Sequence, residues 1–196
     1  MSLILASTSP IRRRLLANAA IAVECVPPVA DEAALRRAMP PGCPAAAVAE
    51  MLAEAKARSV SADFPAAHVI GADQILVLDD AILAKPDDLA AARRQLAMLR
   101  GRTHTLISAL VVIHGDRRLA VITDRAELTM RNFTDGFLDR YLEAVGPGIT
   151  GSVGAYRLEE HGAQLFERIA GDYFTILGLP LLPLLAYLRA ERLIPS

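Results

Sequence analysis

The stretch LILASTSPIRRRLL, Leu3 to Leu16, changes its pattern across a short polar link. Leu3 to Ala6 is an unbroken apolar run of strand length, and Ser9-Pro10 offers a hydroxyl cap followed by proline at the first helical position. The pattern predicts a buried strand over Leu3–Ala6 and a helix from Pro10 to about Ala19. A buried strand feeding straight into a helix is the opening of an α/β architecture. The first helical turn also carries Arg12, Arg13 and Arg14, although cations at a helix N-terminus are disfavoured by about 0.3 to 1 kcal/mol each. With Ser7, Thr8 and Ser9 they compose an anion site of hydroxyls, backbone N–H groups and guanidinium forks, the set that suits phosphate oxygens. Arginines turned out into water are the plain alternative.

Downstream the alternation continues. Ile21–Val26 reads as a second strand, and Pro27–Pro44, with five prolines and the acidic pair Asp31-Glu32, reads as a long functional loop. Ala45–Ser61 reads as a helix with Val48, Leu52, Ala55 and Ser59 on one face and Glu50, Glu54 and Arg58 opposite. Val69–Ala72 and Ile75–Leu78 are apolar strand segments interrupted by Asp73-Gln74, and Asp79-Asp80 turns the chain into Ile82-Leu83. Asp87 or Asp88 caps a helix with the stripe Leu89, Ala92, Leu96 and Leu99, stopped by Gly101. Thr103–Ile113 and Leu119–Met130 form a long β pair joined through His114–Arg117, and Phe133–Val145 is a helix. Tyr156–Leu158 and Gln164–Ile169 suggest a further strand pair, and Leu179–Arg189 closes the chain as a helix. Helices alternating with strands around a long hairpin imply an α/β fold with a mixed β-sheet and flanking helices.

Composition narrows the function. Of 196 residues, 53% are hydrophobic, enough for one compact domain or two closely joined lobes and too much for a disordered chain. A net charge of -1 and a pI near 6.4 exclude a global basic field for nucleic acid, so any bound anion must be met by local charges. The longest apolar run, Phe174 to Leu188, is broken by Gly178, Pro180 and Pro183, and is too short and kinked to span a bilayer. Without a signal-peptide pattern the chain is expected in the cytoplasm, and Cys25 and Cys43, lacking metal spacing, are expected as free buried thiols.

All but two of the 21 basic residues are arginine. A lysine kept against that bias suggests a place where a compact point charge is wanted. Lys56 projects between Leu52 and Val60, at the border of a buried helix face, and Lys85 is held extended by Pro86. A snorkelling Lys56 and a solvated Lys85 are the bland alternatives. Asp73 stands in an otherwise apolar stretch, where a carboxylate costs several kcal/mol unless it meets a metal, a cation or hydrogen-bond donors. Glu32 is a second carboxylate, in the long loop. Other patterns fail: Gly146–Gly151 matches GxGxxG but follows a helix, there is no phosphate loop or HExxH, and the four histidines lack ligand spacing.

Taken together, LILASTSPIRRRLL, the Asp31-Glu32 pair, LAEAKARSV (Leu52–Val60), VIGADQILVLDDAILAKP (Val69–Pro86), LRGRTH (Leu99–His104), GAYRLEEHGA (Gly154–Ala163) and GDYFTILGLPL (Gly171–Leu181) resemble the Maf family of nucleoside triphosphate pyrophosphatases. The resemblance covers nearly the whole chain in family order. It implies a single Maf-like domain over residues 1–196, an elongated inosine triphosphatase-like fold with two lobes around a central cleft. It implies that Ser7, Arg12 and Arg13 bind the triphosphate, that Lys56 and Lys85 complete its charge neutralisation, and that Glu32 helps hold a divalent metal, Mg²⁺ or Mn²⁺. Asp73 matches the family's proton acceptor, as base, metal ligand or both. The implied reaction is attack of water on the α-phosphorus, releasing pyrophosphate and a nucleoside monophosphate, a house-cleaning role that involves neither nucleic acid nor membrane and leaves room for a homodimer.

The pyrimidine-type members, acting on dTTP and UTP, carry Arg, Thr and Gln where this chain has Ile11, Gln74 and Glu159. Gln74 and Glu159 look like the branch acting on 7-methyl-GTP, whereas Ile11 lacks the aromatic ring that would stack on a cationic purine. A carboxylate can accept from both N1–H and N2–H of guanine. The resemblance therefore favours a guanine-type or relaxed substrate range, with a dTTP/UTP enzyme of the same family and a non-catalytic nucleotide-binding regulator of cell division as alternatives.

Overall fold

The computed structural model of the protein describes residues 2–40 and 42–195. Its first half runs β1 (Leu3–Ala6), α1 (Pro10–Asn18), β2 (Glu24–Val26), α2 (Glu32–Ala38), α3 (Ala45–Ser61), β3 (His68–Leu78), β4 (Ala81–Leu83) and α4 (Leu89–Leu99). Then follow β5 (Thr103–His114), β6 (Arg117–Met130), α5 (Asp135–Val145), β7 (Phe166–Ala170), α6 (Tyr173–Ile176) and α7 (Leu181–Ala190). The strands make a mixed seven-stranded sheet in the order β2-β1-β3-β5-β6-β7, with β4 also on β3. β1 lies parallel to β2 and β3, while β4 on β3 and β7 on β6 are antiparallel. This is the α/β fold with a mixed sheet and flanking helices that the sequence implies.

Local chemistry sets the boundaries. Ser9 caps α1 with Pro10 in its first turn, Asp88 caps α4 and Thr134 caps α5, each through its own side chain. Gly101, at φ +69°, follows the end of α4, and Gly115, at φ +60°, turns the β5–β6 hairpin.

The chain divides into two compact units, one comprising Met1–Gln74, Ser108–Asp124 and Tyr173–Ser196, the other Ile75–Ile107 and Arg125–Asp172. In the first, all four residues of β1 are buried, together with Leu15 and Leu16 of α1, Val69, Ile70 and Ala72 of β3, and Leu181, Leu184 and Leu188 of α7. Helix α3 lies so close to β3 that a Cβ on Gly71 would stand 2.1 Å from the Ala53 carbonyl oxygen and 2.9 Å from the Ala57 methyl. Glycine on the strand and alanines on the helix are what permit that approach. In the second unit, Ala92, Leu96 and Leu99 of α4 and Leu138, Tyr141 and Leu142 of α5 are buried.

Several expectations are corrected. The stretch 27–44 is not a continuous loop: Asp31 accepts a hydrogen bond from Ala34 N–H at 2.8 Å and starts α2. Flanking prolines hide that seven-residue helix from the sequence pattern, and Pro41 lies outside the described residues. The second strand is only Glu24–Val26. Asp73-Gln74 does not break β3, because alternating side chains leave the backbone extended through both residues. The buried face of α3 is Val48, Ala49, Leu52, Ala53, Ala57, Val60 and Ser61, so the small alanines rather than Ala55 and Ser59 meet the sheet. Tyr156–Leu158 forms no strand, and β7 pairs with β6 in its place. Cys25 and Cys43 are free but only half-buried. No helix among the described residues is long and apolar enough to cross a membrane.

Candidate active site

Beyond β1 the chain makes a tight polar turn. Ser7 Oγ accepts from Ser9 N–H at 3.1 Å and Ser9 Oγ from Arg12 N–H at 3.5 Å, so two hydroxyls of the expected anion site help shape the start of α1. Ser7 is buried, Ile11 and Arg12 are half-buried, and Arg13 is exposed. Arg12 turns inward, its Nε donating to the Gly178 carbonyl at 2.7 Å and Nη1 to the Ala72 carbonyl at 2.9 Å. Burial lowers its pKa from the ordinary arginine value, opposed by the fields of Asp73 and Glu32.

The chemistry concentrates at Asp73. The close packing at Gly71 brings α3 alongside this part of β3, and Lys56 Nζ donates to Asp73 Oδ1 at 2.6 Å. The two side chains are only 12% and 7% exposed, so the pair is shielded from water. Lys56 also reaches Glu32 Oε1, on α2, at 3.0 Å, so one ammonium bridges two carboxylates. Asp73 Oδ2 is buried and makes no hydrogen bond; Arg36 Nη2 stands 3.8 Å from it. An unsatisfied buried carboxylate oxygen is costly, and such an atom is satisfied by a water, a metal ion or a substrate.

Gln74 faces a different set of partners. Its Nε2 lies 3.0 Å from Ser108 Oγ, the Thr175 carbonyl and the Ile176 carbonyl alike. Three acceptors around one nitrogen fix the amide orientation and aim Oε1 away from them. Ser108 Oγ donates in turn to the Thr175 carbonyl at 2.8 Å, and Thr175 Oγ1 to Asp124 Oδ2 at 2.7 Å.

Arg12, Glu32, Lys56, Asp73 and Gln74 therefore gather in the first unit. Lys85, exposed after β4, and Glu159, half-buried in the irregular stretch before β7, belong to the second. Sequence reasoning missed Arg36, Ser108 and the carbonyls of Thr175, Ile176 and Gly178. Arg36 had a signal, since it follows Glu32 by four residues behind the Asp31 cap and so shares its helix face. The backbone acceptors had none.

Among the described residues, no group of three or more His, Cys, Asp or Glu is arranged to hold a metal. Two carboxylates sharing a lysine, one with an orphaned oxygen, still fit a hard cation of the Mg²⁺ type, which takes one or two carboxylates and fills its shell from water and phosphate.

The sequence that builds this architecture belongs to a known family. The model of the Maf-like protein family matches residues 2–191, and the chain is a member of that family. It is 50% identical over 188 residues to the 7-methyl-GTP pyrophosphatase of Rhizobium meliloti (strain 1021), a match spanning 95% of this chain and 94% of that one. It is 49% identical over 195 residues to the 7-methyl-GTP pyrophosphatase of Brucella abortus biovar 1 (strain 9-941), spanning 99% and 98%. The nucleoside triphosphate pyrophosphatase of Rhodospirillum rubrum is 47% identical over 194 residues, spanning 98% and 96%.

Proposed function

We propose that this chain is a nucleoside triphosphate pyrophosphatase, a hydrolase of acid anhydrides that converts a nucleoside triphosphate and water into a monophosphate and pyrophosphate, with 7-methyl-GTP or another guanine-type nucleotide as preferred substrate. The observation that carries it is Asp73, a buried carboxylate with one oxygen on Lys56 and the other without a hydrogen bond. That oxygen is the acceptor for a proton of the attacking water. Water oxygen bonds to the α-phosphorus, the bond to the α,β-bridging oxygen breaks, and pyrophosphate leaves with that electron pair. Phosphoryl transfer needs in-line positioning and neutralisation of charge more than covalent help.

Lys56 holds Asp73 and Glu32 with two of its three donors, leaving the third for a phosphate oxygen. Ser7, Arg13 and Lys85 are the further triphosphate ligands that the family motif implies. Arg12 has two N–H groups already on backbone carbonyls. Glu32 and Asp73 would hold a divalent cation, Mg²⁺ or Mn²⁺. When bound, that ion supplies Lewis acidity and lowers the pKa of coordinated water. The names of relatives at 49 to 50% identity support the guanine reading. Gln74, with its nitrogen engaged and its oxygen turned away, supports an acceptor toward a ring N–H. We read the enzyme as a cytoplasmic single-domain Maf protein, able to act without nucleic acid or membrane.

The test is product analysis with Mg²⁺ or Mn²⁺ across GTP, 7-methyl-GTP, dTTP, UTP, CTP and ATP. Pyrophosphate with monophosphate is the expected pair. Release of orthophosphate alone, or no product from any of them, overturns the activity; a lead for dTTP and UTP overturns only the base preference.

A further inference from the structure

The family motif counts Arg12 among the triphosphate ligands, yet two sides of its guanidinium are taken. Nη1 holds the carbonyl of Ala72, the residue immediately before Asp73. The parallel ladder between β1 and β3 ends at Ala6 opposite Gly71, so that carbonyl lies one residue past the ladder, and the guanidinium stands where a continued strand would bond. Nε holds the carbonyl of Gly178, in the turn after α6. The residue immediately after Asp73 is held by the same turn, since Gln74 Nε2 donates toward the carbonyls of Thr175 and Ile176.

The turn is itself anchored. Thr175 and Ser108 are fully buried, Thr175 Oγ1 binds Asp124, and Gly178 N–H closes back on the Thr175 carbonyl at 3.0 Å. Gly178 sits at φ +89°, and a Cβ there would approach Arg12 Nη2 to 3.2 Å and Nε to 3.4 Å. Glycine at 178 is thus matched to an arginine at 12. Lysine would match this arrangement less well, because its single nitrogen is a point charge without the fixed fork whose separate Nε and Nη1 meet the two carbonyls in set directions.

We propose that the segment Tyr173–Gly178 clamps both neighbours of Asp73, the Ala72 carbonyl through Arg12 and Gln74 through its side-chain amide, and that Arg12 serves the reaction as a positioning residue, acting through Ala72 and Gly178, rather than as a ligand of the triphosphate. The proposal rests on the reading of Asp73 as proton acceptor. Its logic is geometric: displacement of a reacting group by about 1 Å costs on the order of 10²-fold in rate. A phosphate ligand and a positioning residue differ in kinetics, since the first sets affinity and the second sets turnover.

The experiment compares Arg12→Lys, Arg12→Met, Gly178→Ala and the double variant Arg12→Met/Gly178→Ala with Arg13→Met. It reads kcat and KM for GTP, the Kd of α,β-methylene GTP, and thermal unfolding. Both Arg12 variants are expected to lose about tenfold or more in kcat with KM and Kd within about threefold, lysine giving no rescue. Gly178→Ala should lose turnover in the same way, and the double variant should fall within about twofold of Arg12→Met, because both break one link. Arg13→Met should instead raise KM and Kd. Full kcat in Arg12→Lys, a rise of KM and Kd at unchanged kcat in either Arg12 variant, or losses that multiply in the double variant would overturn the clamp. If Arg12→Met does not fold, Arg12→Lys and Gly178→Ala decide alone. Retained activity in Asp73→Asn would sink the underlying reading instead.

Discussion

Each unit buries a polar pair with one orphaned atom, and the two pairs end differently. In the second unit His104 Nε2 shares a 2.7 Å hydrogen bond with Tyr156 Oη, while its Nδ1 has no partner. The ring packs beside Tyr156 and Phe166, and burial pushes the His104 pKa down to about 4 and the Tyr156 phenol up. That pair sheds its charge and becomes core. In the first unit Asp73 is buried just as surely, but Lys56, Glu32 and Arg36 gather around it. Arg36 is 38% exposed, so the cluster stays open to water on one side. Burial and an orphaned atom alone do not mark a candidate site; ionic partners with access to solvent are what set Asp73 apart.

The sharpest way to break this contrast is Asp73→Asn. The amide keeps the size and can still meet Lys56, but it accepts no proton and balances no cation. A loss of about 10² to 10⁴ in kcat with a preserved unfolding transition is expected. Turnover above roughly a third of wild type would put Asp73 in the same structural class as His104.

Next in size is the pair itself. Lys56→Met leaves Asp73 buried without its hydrogen-bonded cation, with Arg36 at 3.8 Å and the field of Arg12 as partial compensation, and should destabilise the protein by about 3 to 5 kcal/mol. Adding Asp73→Asn should restore a large part of that in denaturant midpoints. A double variant no more stable than the single would mean that Lys56 contributes packing and not charge compensation.

The His104 pair should titrate as core. Its folded pKa of about 4 lies below the ordinary 6.5, so the unfolded chain takes up the proton first. The stability is fully present above pH 6.5, falls as the pH drops toward 4 and levels off below, by about 3 kcal/mol in all. His104→Gln, which can still bond to Tyr156, should flatten that part of the stability curve against pH. An unchanged curve would assign the acid sensitivity elsewhere.

How much of this was legible follows from how local the signals are. Ser9-Pro10, Asp88 and Gly101 announce α1 and α4 to within a residue, because caps act over one turn. Asp73, Lys56 and Glu32 were legible as residues out of keeping with their surroundings. What stayed hidden is non-local: the Gly71 approach to α3, the pairing of β7 with β6, and the carbonyls that take up Arg12 and Gln74. No spacing rule announces a backbone acceptor more than a hundred residues away. Helix α2 is the exception, a local element masked by the prolines around it, and with it went Arg36.

The smallest expected effect tests whether the second unit is structural throughout. His104 and Tyr156 make it a core, and Glu159, half-buried and engaged within the protein, is the residue that by motif would also read the base. If its carboxylate accepts from N1–H and N2–H of guanine, GTP or 7-methyl-GTP should exceed dTTP and UTP in kcat/KM. Glu159→Gln keeps one acceptor and sets an N–H₂ against the guanine amino group. About 1.5 to 3 kcal/mol of guanine preference should then disappear, the worth of a hydrogen bond to a charged group, while pyrimidine turnover holds or rises. A uniform loss across all triphosphates would point to a folding role, and the second unit would then contribute no reading of the base. A substrate ranking untouched by the change, in a wild-type enzyme that prefers dTTP and UTP, would leave the family and the Asp73 chemistry standing and return the choice of base to Gln74 and Ile11.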